Sequence, residues 1–443
     1  MNSSRKPNRS TLISSRPARA STQLPKAPID QNYGLGGLAC IFEKAAGSRA
    51  DSDGVINSRT RRGRSYVMGR SSNRNTDEFK VFVACLNEHG GLDSGFHGDG
   101  VFDFNQVPKA AYSRLSGLVE DAAGNLLIIA LMESVEGESA SHLWKLTASG
   151  VPDLTFGQGK GFVDIRDVIR EELLLEHLAL AKDRIFASGL RCGPQMVEPV
   201  VIALDLEGAL WKRFATDGVL DVVKLIPNAQ DHIIDGIASF TPPSGPERLL
   251  LPLFLMRNGD AYSVTAALTL DGKMDDAFGD HGQHWSDPWV INNGFSVDAI
   301  SQRFSFYGEL YSLDADISQP TVYRIDYSGK PAKEFNNGNV LVFDRPGGWY
   351  AGVEVAGGLV GYGMFYTHSL AFRFTSDGKF DTTFVPPHGY GLFGAQLPED
   401  GFYTSTGSIA LDTPNQRLLL SGRDEEERGS TVPCVIAVSL RTK

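Results

Sequence analysis

One short phrase returns six times along this chain of 443 residues. It is a glycine, then a small or polar step, then an aromatic six positions on. The copies run Gly90 to Phe96, Gly150 to Phe156, Gly208 to Phe214, Gly272 to Phe278, Gly329 to Phe335 and Gly378 to Phe384. Successive aromatics stand 60, 58, 64, 57 and 49 residues apart. Units of near-constant length stack into one body rather than separate domains, so the period constrains the fold more than length or composition does.

Between Phe96 and Gly150 the chain reads as four short strands. VFDF follows a turn, LSGLVED alternates, LLIIALM is a continuous apolar run bounded by turn residues, and HLWKLT ends in the TASG turn. A continuous apolar run of that length is what a strand buried on both faces requires. The other units repeat the plan. Residues 166–180 are the one stretch with helical character, read as a long loop with a turn or two. The chain ends on VIAVSL, which reads as a fourth strand without its hairpin. Asp30 and Tyr33 near the start supply the missing partner, making seven units. The expectation is an all-β, seven-bladed β-propeller of four-stranded antiparallel blades. Closure into a ring removes the exposed sheet edges of a linear array. A basic, disordered tail over 1–28 precedes a single propeller over 29–443, with units near 29–95, 96–155, 156–213, 214–277, 278–334, 335–383 and 384–443. The phrase glycine is expected at positive φ, the aspartate of Asp93, Asp153, Asp275 and Asp381 as a cap on backbone N–H groups, and the aromatic as a plug between blades.

The stretch LNEHGGLDSGFHGDGV (86–101), followed by EDAAGNLLIIAL (120–131), resembles the delta-60 repeat family of bacterial β-propellers. The resemblance covers roughly 29–443 and is clearest in the units opening at Phe96 and Phe156. It implies the propeller fold and supplies no catalytic residues.

Net charge is −11, unevenly spread. Residues 1–74 hold 14 Lys and Arg against 4 Asp and Glu; the remainder holds 28 against 49. An acidic body repels phosphates, so nucleic acid is not an expected partner of the folded part. No apolar run approaches the roughly 18 residues of a membrane span. The N-terminus is rich in Ser and Arg, without the apolar core of a secretory signal. It fits a cytoplasmic protein, or one exported by a route that needs no signal peptide. Cys40, Cys85, Cys192 and Cys434 show no CxxC spacing and read as buried thiols in strands. The chain is expected to be a monomer.

The first strand after each aromatic is placed beside the central channel. Three of these strands carry an aspartate three residues after a glycine: Asp103, Asp164 and Asp221, with looser counterparts Glu43, Asp287 and Asp344. A ring of carboxylates near the axis could hold a hard cation through oxygen ligands, so Ca²⁺ is the one cofactor considered and otherwise none is expected. The loops after these strands hold Tyr112, Trp289, Phe295, Trp349, Tyr350, Phe402 and Tyr403, aromatics suited to stacking on sugar rings or anchoring a protein partner. DSDG (51–54) lacks the rest of a calcium loop, and His281 with His284 lacks a third zinc ligand. No GxSxG or phosphate-binding loop occurs. The expected function is non-catalytic binding of a protein or carbohydrate through one face and the channel mouth, with Asp103, Asp164, Asp221, Trp289, Trp349 and Tyr350 as binding residues. The alternatives are a metal-assisted hydrolase or lyase using the channel carboxylates, and a secreted interaction protein.

Overall fold

A computed structural model describes residues 25–441 apart from 43–47, 74, 76–77, 107–111, 134–138, 194–196, 314–316, 366–367, 394–400 and 426–429; most of the tail expected over 1–28 therefore lies outside the described residues. The chain forms seven antiparallel sheets arranged as the blades of a propeller. Blades one to six occupy 48–103, 112–164, 173–221, 230–285, 290–342 and 347–392. Blade seven is built from Gly401–Asp412, Arg417–Glu425 and Thr431–Ser439, and its fourth strand is Leu38–Cys40 from the other end of the chain. The last C-terminal strand is therefore a third strand, not a fourth, and the N-terminus closes the ring.

Each blade begins one strand later than the sequence unit. VFDF, which opens a unit, is the outer strand of the preceding blade: Val101–Asp103 pairs with Glu78–Leu86 at the sheet edge. The phrase sits in the hairpin between third and fourth strands, so counting from the aromatic shifts every strand by one. The seven inner strands start at Ser48, Tyr112, Leu173, Gln230, Val290, Gly347 and Gly401. In blade four this strand is broken: Gln230–Ile234 and Ala238–Phe240 both pair with Arg248–Arg257. The 49-residue spacing before Phe384 hides no lost strand, because blade six keeps four. Residues 166–180 resolve into a short helix, Ile165–Ile169, and the inner strand Leu173–Ala181. A bulge between Leu175 and His177 breaks the period-two alternation there, which is why LLLEHLALA does not read as a strand.

The core lies between blades. One cluster packs Leu127, Ile129 and Leu143 of blade two against Leu175, Ile185 and Ile202 of blade three. The phrases knot the blades together at the rim. Phe96, Phe156 and Phe214 have no exposed surface, and Phe384, the most open of the seven aromatics, is 4% exposed. Gly150 has φ +79°, and a Cβ there would stand 2.8 Å from the Phe96 ring; at Gly208 it would meet the Phe156 ring at 3.0 Å. The glycine is thus needed twice, for its left-handed backbone and for the ring that presses against it. Beside each contact runs a main-chain bond to the next phrase. His97 N donates to Ser149 O at 2.7 Å, Gly157 N to Glu207 O at 3.0 Å, and Gly279 N to Ser328 O at 2.7 Å.

The phrase aspartate caps its own turn as expected, with Asp93 Oδ1 accepting from Gly95 N at 2.9 Å and Asp153 Oδ1 from Thr155 N at 3.0 Å. It also meets a cation. Arg64 pairs with Asp93 at 2.5 Å, Lys145 with Asp153 at 3.2 Å, Arg248 with Asp275 at 2.7 Å and Arg373 with Asp381 at 3.0 Å. Where Trp211 replaces the aspartate, Arg184 lies over the indole ring at 4.4 Å instead.

Phe156→Ala removes one plug from between two blades. It should cost about 3–5 kcal/mol, read as a lower midpoint in urea unfolding. An unchanged midpoint would show that the aromatic is not what holds adjacent blades.

Candidate functional site

The strand shift moves the expected carboxylates from the axis to the periphery. Asp103, Asp164 and Asp221 end the outer strands of blades one, two and three. Each serves its own turn. Asp103 accepts from Asn105 N at 3.0 Å. Asp164 caps the short helix through Arg166 N at 3.0 Å, binds the Arg166 side chain through both oxygens at 3.2 and 2.9 Å, and lies 3.4 Å from His142 Nε2. Asp221 takes Arg191 at 2.7 Å and Lys224 at 2.5 Å. Burial by itself would raise Asp164 and Asp221, but the hydrogen bonds from these cations outweigh it and hold both carboxyls below their usual range. The spacing that looked like a ring of ligands gives local caps at Asp103 and Asp164 and a side-chain ion pair at Asp221. No ion shared by the three is available in this geometry, and among the described residues no group of three His, Cys, Asp or Glu could hold a metal. Asp287 is exposed, Asp344 accepts from Gln319 Nε2 at 3.4 Å, and Glu43 lies outside the described residues. His284 Nδ1 sits 3.0 Å from Gly329 O, while His281 is exposed.

The aromatics divide. Trp349 is 1% exposed and packs on Phe372 at 4.3 Å in the blade-six core. Tyr112 is 2% exposed, its hydroxyl 2.7 Å from His142 Nδ1 and accepting from Trp144 Nε1 at 3.1 Å. Phe295 packs against Phe306. These three are not loop aromatics. Trp289, between blades four and five, is half-buried with its indole N–H donating to Asp260 Oδ1 at 3.2 Å, and Tyr350 is half-buried against Tyr362. The side chains of Phe402 and Tyr403 lie outside the described residues.

The axis is built by other residues. Inner strands carry bulges at Asp53, Ser116, Glu176, Asn293 and Tyr350. Side chains beside them latch onto the next blade. Ser116 Oγ donates to Leu175 O at 2.9 Å, His177 Nε2 lies 3.1 Å from Ile234 O, and Asn293 Nδ2 donates to Trp349 O at 3.2 Å. The bulges bring the backbones close, as at Gly294, where a Cβ would meet Tyr350 O at 2.3 Å. The pairs Asp53-Gly54, Ser116-Gly117, Asp235-Gly236 and Asn293-Gly294 in mid-strand were the sequence signal for them.

A cavity of about 690 Å³ occupies the channel where the inner strands end. Ile56, Leu118, Leu178, Val297, Val353 and Ile409, one residue from each of six inner strands, and Ile237 from the break in the seventh line it, which places it on the axis. Its rim carries Arg59, Arg62, Glu120 and Asp412. The two acids are engaged internally. Glu120 accepts from Ser58 Oγ and Thr60 Oγ1 at 2.7 Å each and from Arg59 N, pinning the loop SRTRRGR (58–64) across the gap between blades one and two. Asp412 binds Arg417 at 2.7 Å and Asn415 at 2.9 Å. The side chains of Arg59 and Arg62 are exposed, and among the described residues neither forms an ion pair. A second groove, of about 470 Å³, lies toward the start of the first blade's inner strand and is lined by Arg49, Asp51, Arg70 and Arg423. Three guanidinium groups against one carboxylate leave it positive.

Two half-buried carboxyls stand at the strand irregularities. Burial raises Asp53 to about 6 despite Arg70, and raises Asp235 to about 7 with nothing opposing it. Asp235 Oδ2 has no hydrogen-bond partner.

No family model matches this chain, and no curated protein matches it. Several solved structures are distantly similar to this chain. The Trypanosoma rangeli sialidase in complex with the inhibitor DANA is 8% identical over 77% of this chain and 56% of that chain, with a TM-score of 0.42. The β-propeller domain of the Trilobed protease from Pyrococcus furiosus is 9% identical over 84% and 90%, with a TM-score of 0.44. Polysaccharide lyase Uly1 is 9% identical over 95% and 94%, with a TM-score of 0.48. The chain spans little more than half of that sialidase, and likenesses this distant do not separate binding from catalysis.

Because Asp235 is raised when folded, the native state holds more protons than the unfolded chain between the ordinary aspartate value and about 7. Stability therefore falls as pH rises through that window, and above it the buried charge is a full penalty. Asp235→Asn should raise Tm at pH 8 more than at pH 5 in paired melting curves. An equal shift at both pH values would mean that Asp235 does not change protonation on folding.

Proposed function

We propose that this protein is a binding propeller that takes a protein or carbohydrate partner at the mouth of its axial channel, through an acidic group on that partner. The axial cavity of about 690 Å³ carries the reading. Its size falls within the roughly 300–1,000 Å³ of ligand pockets, and its apolar walls with a few charged groups at one end follow their usual composition. The carboxylates at the rim are held by Arg417, Asn415 and the loop 58–64, whereas the exposed Arg59 and Arg62 have no ion-pair partner among the described residues. A sugar acid, or an acidic side chain projecting from a protein, would supply the missing partner, and the planar guanidinium suits carboxylate geometry. The Gly-aromatic phrase is the basis on which we infer membership of the delta-60 repeat propellers.

Ala299 is exposed at the cavity and lies outside the core, so Ala299→Trp fills the mouth at little cost to folding. The test is a thermal-shift panel of neutral sugars, sugar acids and acidic peptides on the full chain. An acidic ligand should stabilise the wild type and lose at least about tenfold in affinity, roughly 1.4 kcal/mol, in Ala299→Trp and in Arg59→Ala/Arg62→Ala. A ligand bound equally by all three proteins would place recognition elsewhere.

A further inference from the structure

The seam of the ring has two cysteines in register. Leu38–Cys40 pairs with the last strand over three rungs, Leu38 with Ile436, Ala39 with Val435 and Cys40 with Cys434. Ile41 N donates to Pro433 O at 2.9 Å, so residues 41 and 433 form a hydrogen-bonded pair and the rung before it, Cys40 with Cys434, is a non-hydrogen-bonded one. At such rungs the Cα atoms of antiparallel strands approach to about 4.5 Å and the side chains come closest. That separation lies within the span a disulfide bridges. The two Sγ atoms stand 2.6 Å apart.

We propose that Cys40 and Cys434 are a redox pair whose disulfide covalently closes the propeller. The two ends of the chain also meet through Asp30 N donating to Ala437 O at 2.9 Å, Arg417 with Asp30 at 3.3 Å, and contacts of blade one's inner strand with blade seven such as Ser52 Oγ donating to Cys434 O at 2.8 Å. That strand is held in blade seven by three rungs, and its loss would leave the blade with an open edge. The bond encloses nearly the whole chain, the geometry in which a crosslink most restricts the unfolded state.

The chemistry needs a disulfide oxidant, and oxidised glutathione is the class that fits an exposed thiol. Cys40 is exposed and Cys434 is buried. The Cys40 thiolate attacks one glutathione sulfur, forming a mixed disulfide and releasing one glutathione thiolate. The Cys434 thiolate then attacks the Cys40 sulfur and expels the second. Two protein thiols lose two electrons and two protons, and one oxidised glutathione becomes two reduced ones. The other cysteines are poorly suited. Cys85 is buried in the blade-one core, and burial pushes its thiol up to about 12. Cys192 lies at the end of a blade-three strand with no cysteine as its register partner.

The full-length protein should be incubated under native conditions with an excess of oxidised glutathione, then denatured, alkylated and weighed. The wild type should go from four alkylated cysteines to two, and a tryptic map should join the peptides carrying Cys40 and Cys434. Its Tm should rise by roughly 5 °C or more on oxidation and fall back with a reducing agent. Cys40→Ser alters an exposed side chain, so it should melt like the reduced wild type and show no oxidant-dependent rise. Four alkylated cysteines after oxidation of folded wild type would overturn the proposal. So would a crosslink that uses Cys85 or Cys192.

Discussion

The pressing of each phrase glycine onto the aromatic of the phrase before it governs the rest of the structure. It replaces a side chain with a ring, places that ring between two blades, and brings the following backbone N–H within reach of the next turn. Apolar burial and a directed hydrogen bond therefore act at one place, and every blade is oriented by its neighbour. The cation at each knot adds an electrostatic constraint that tolerates substitution. Arg184 over Trp211 does by stacking what Arg248 does by pairing with Asp275.

The same knots determine where function can reside. They lie at the rim, where they consume the aspartates and positive charges of the phrases. What remains for a ligand is the axis, walled by inner strands whose bulges bring successive backbones together. The acids bordering the cavity are committed to holding Arg417 and the loop 58–64, so the cavity opens beside positive charge although the molecule is acidic as a whole.

The ring was legible because the phrase is spaced by a whole blade and its aromatics cannot be spared. The phase was not. An outer strand of three residues reads the same whether it opens a unit or ends one. The error carried through to the site, since Asp103, Asp164 and Asp221 are near the axis only if their strands are inner ones. The bulge at Glu176 concealed a true inner strand, because one extra residue turns a period of two into something close to a helical spacing. The basic residues were visible but misassigned. Arg49, Arg59, Arg61, Arg62, Arg64 and Arg70 were pooled by charge with the N-terminal residues 1–74, whereas they belong to the first blade, where Arg59, Arg62 and Arg64 line the axial cavity and Arg49 and Arg70 the second groove.

The offset between sequence unit and blade also bears on how such a ring can change size. The segment that repeats along the chain supplies the outer strand of one blade and the inner three of the next. Inserting or deleting one whole segment would leave every blade with four strands, since each donor is matched by a recipient and the two chain ends still complete each other. What must adjust is only the angle between neighbours. The unit of duplication and the unit of folding need not coincide, and their mismatch is what lets a closed array gain or lose members without exposing an edge.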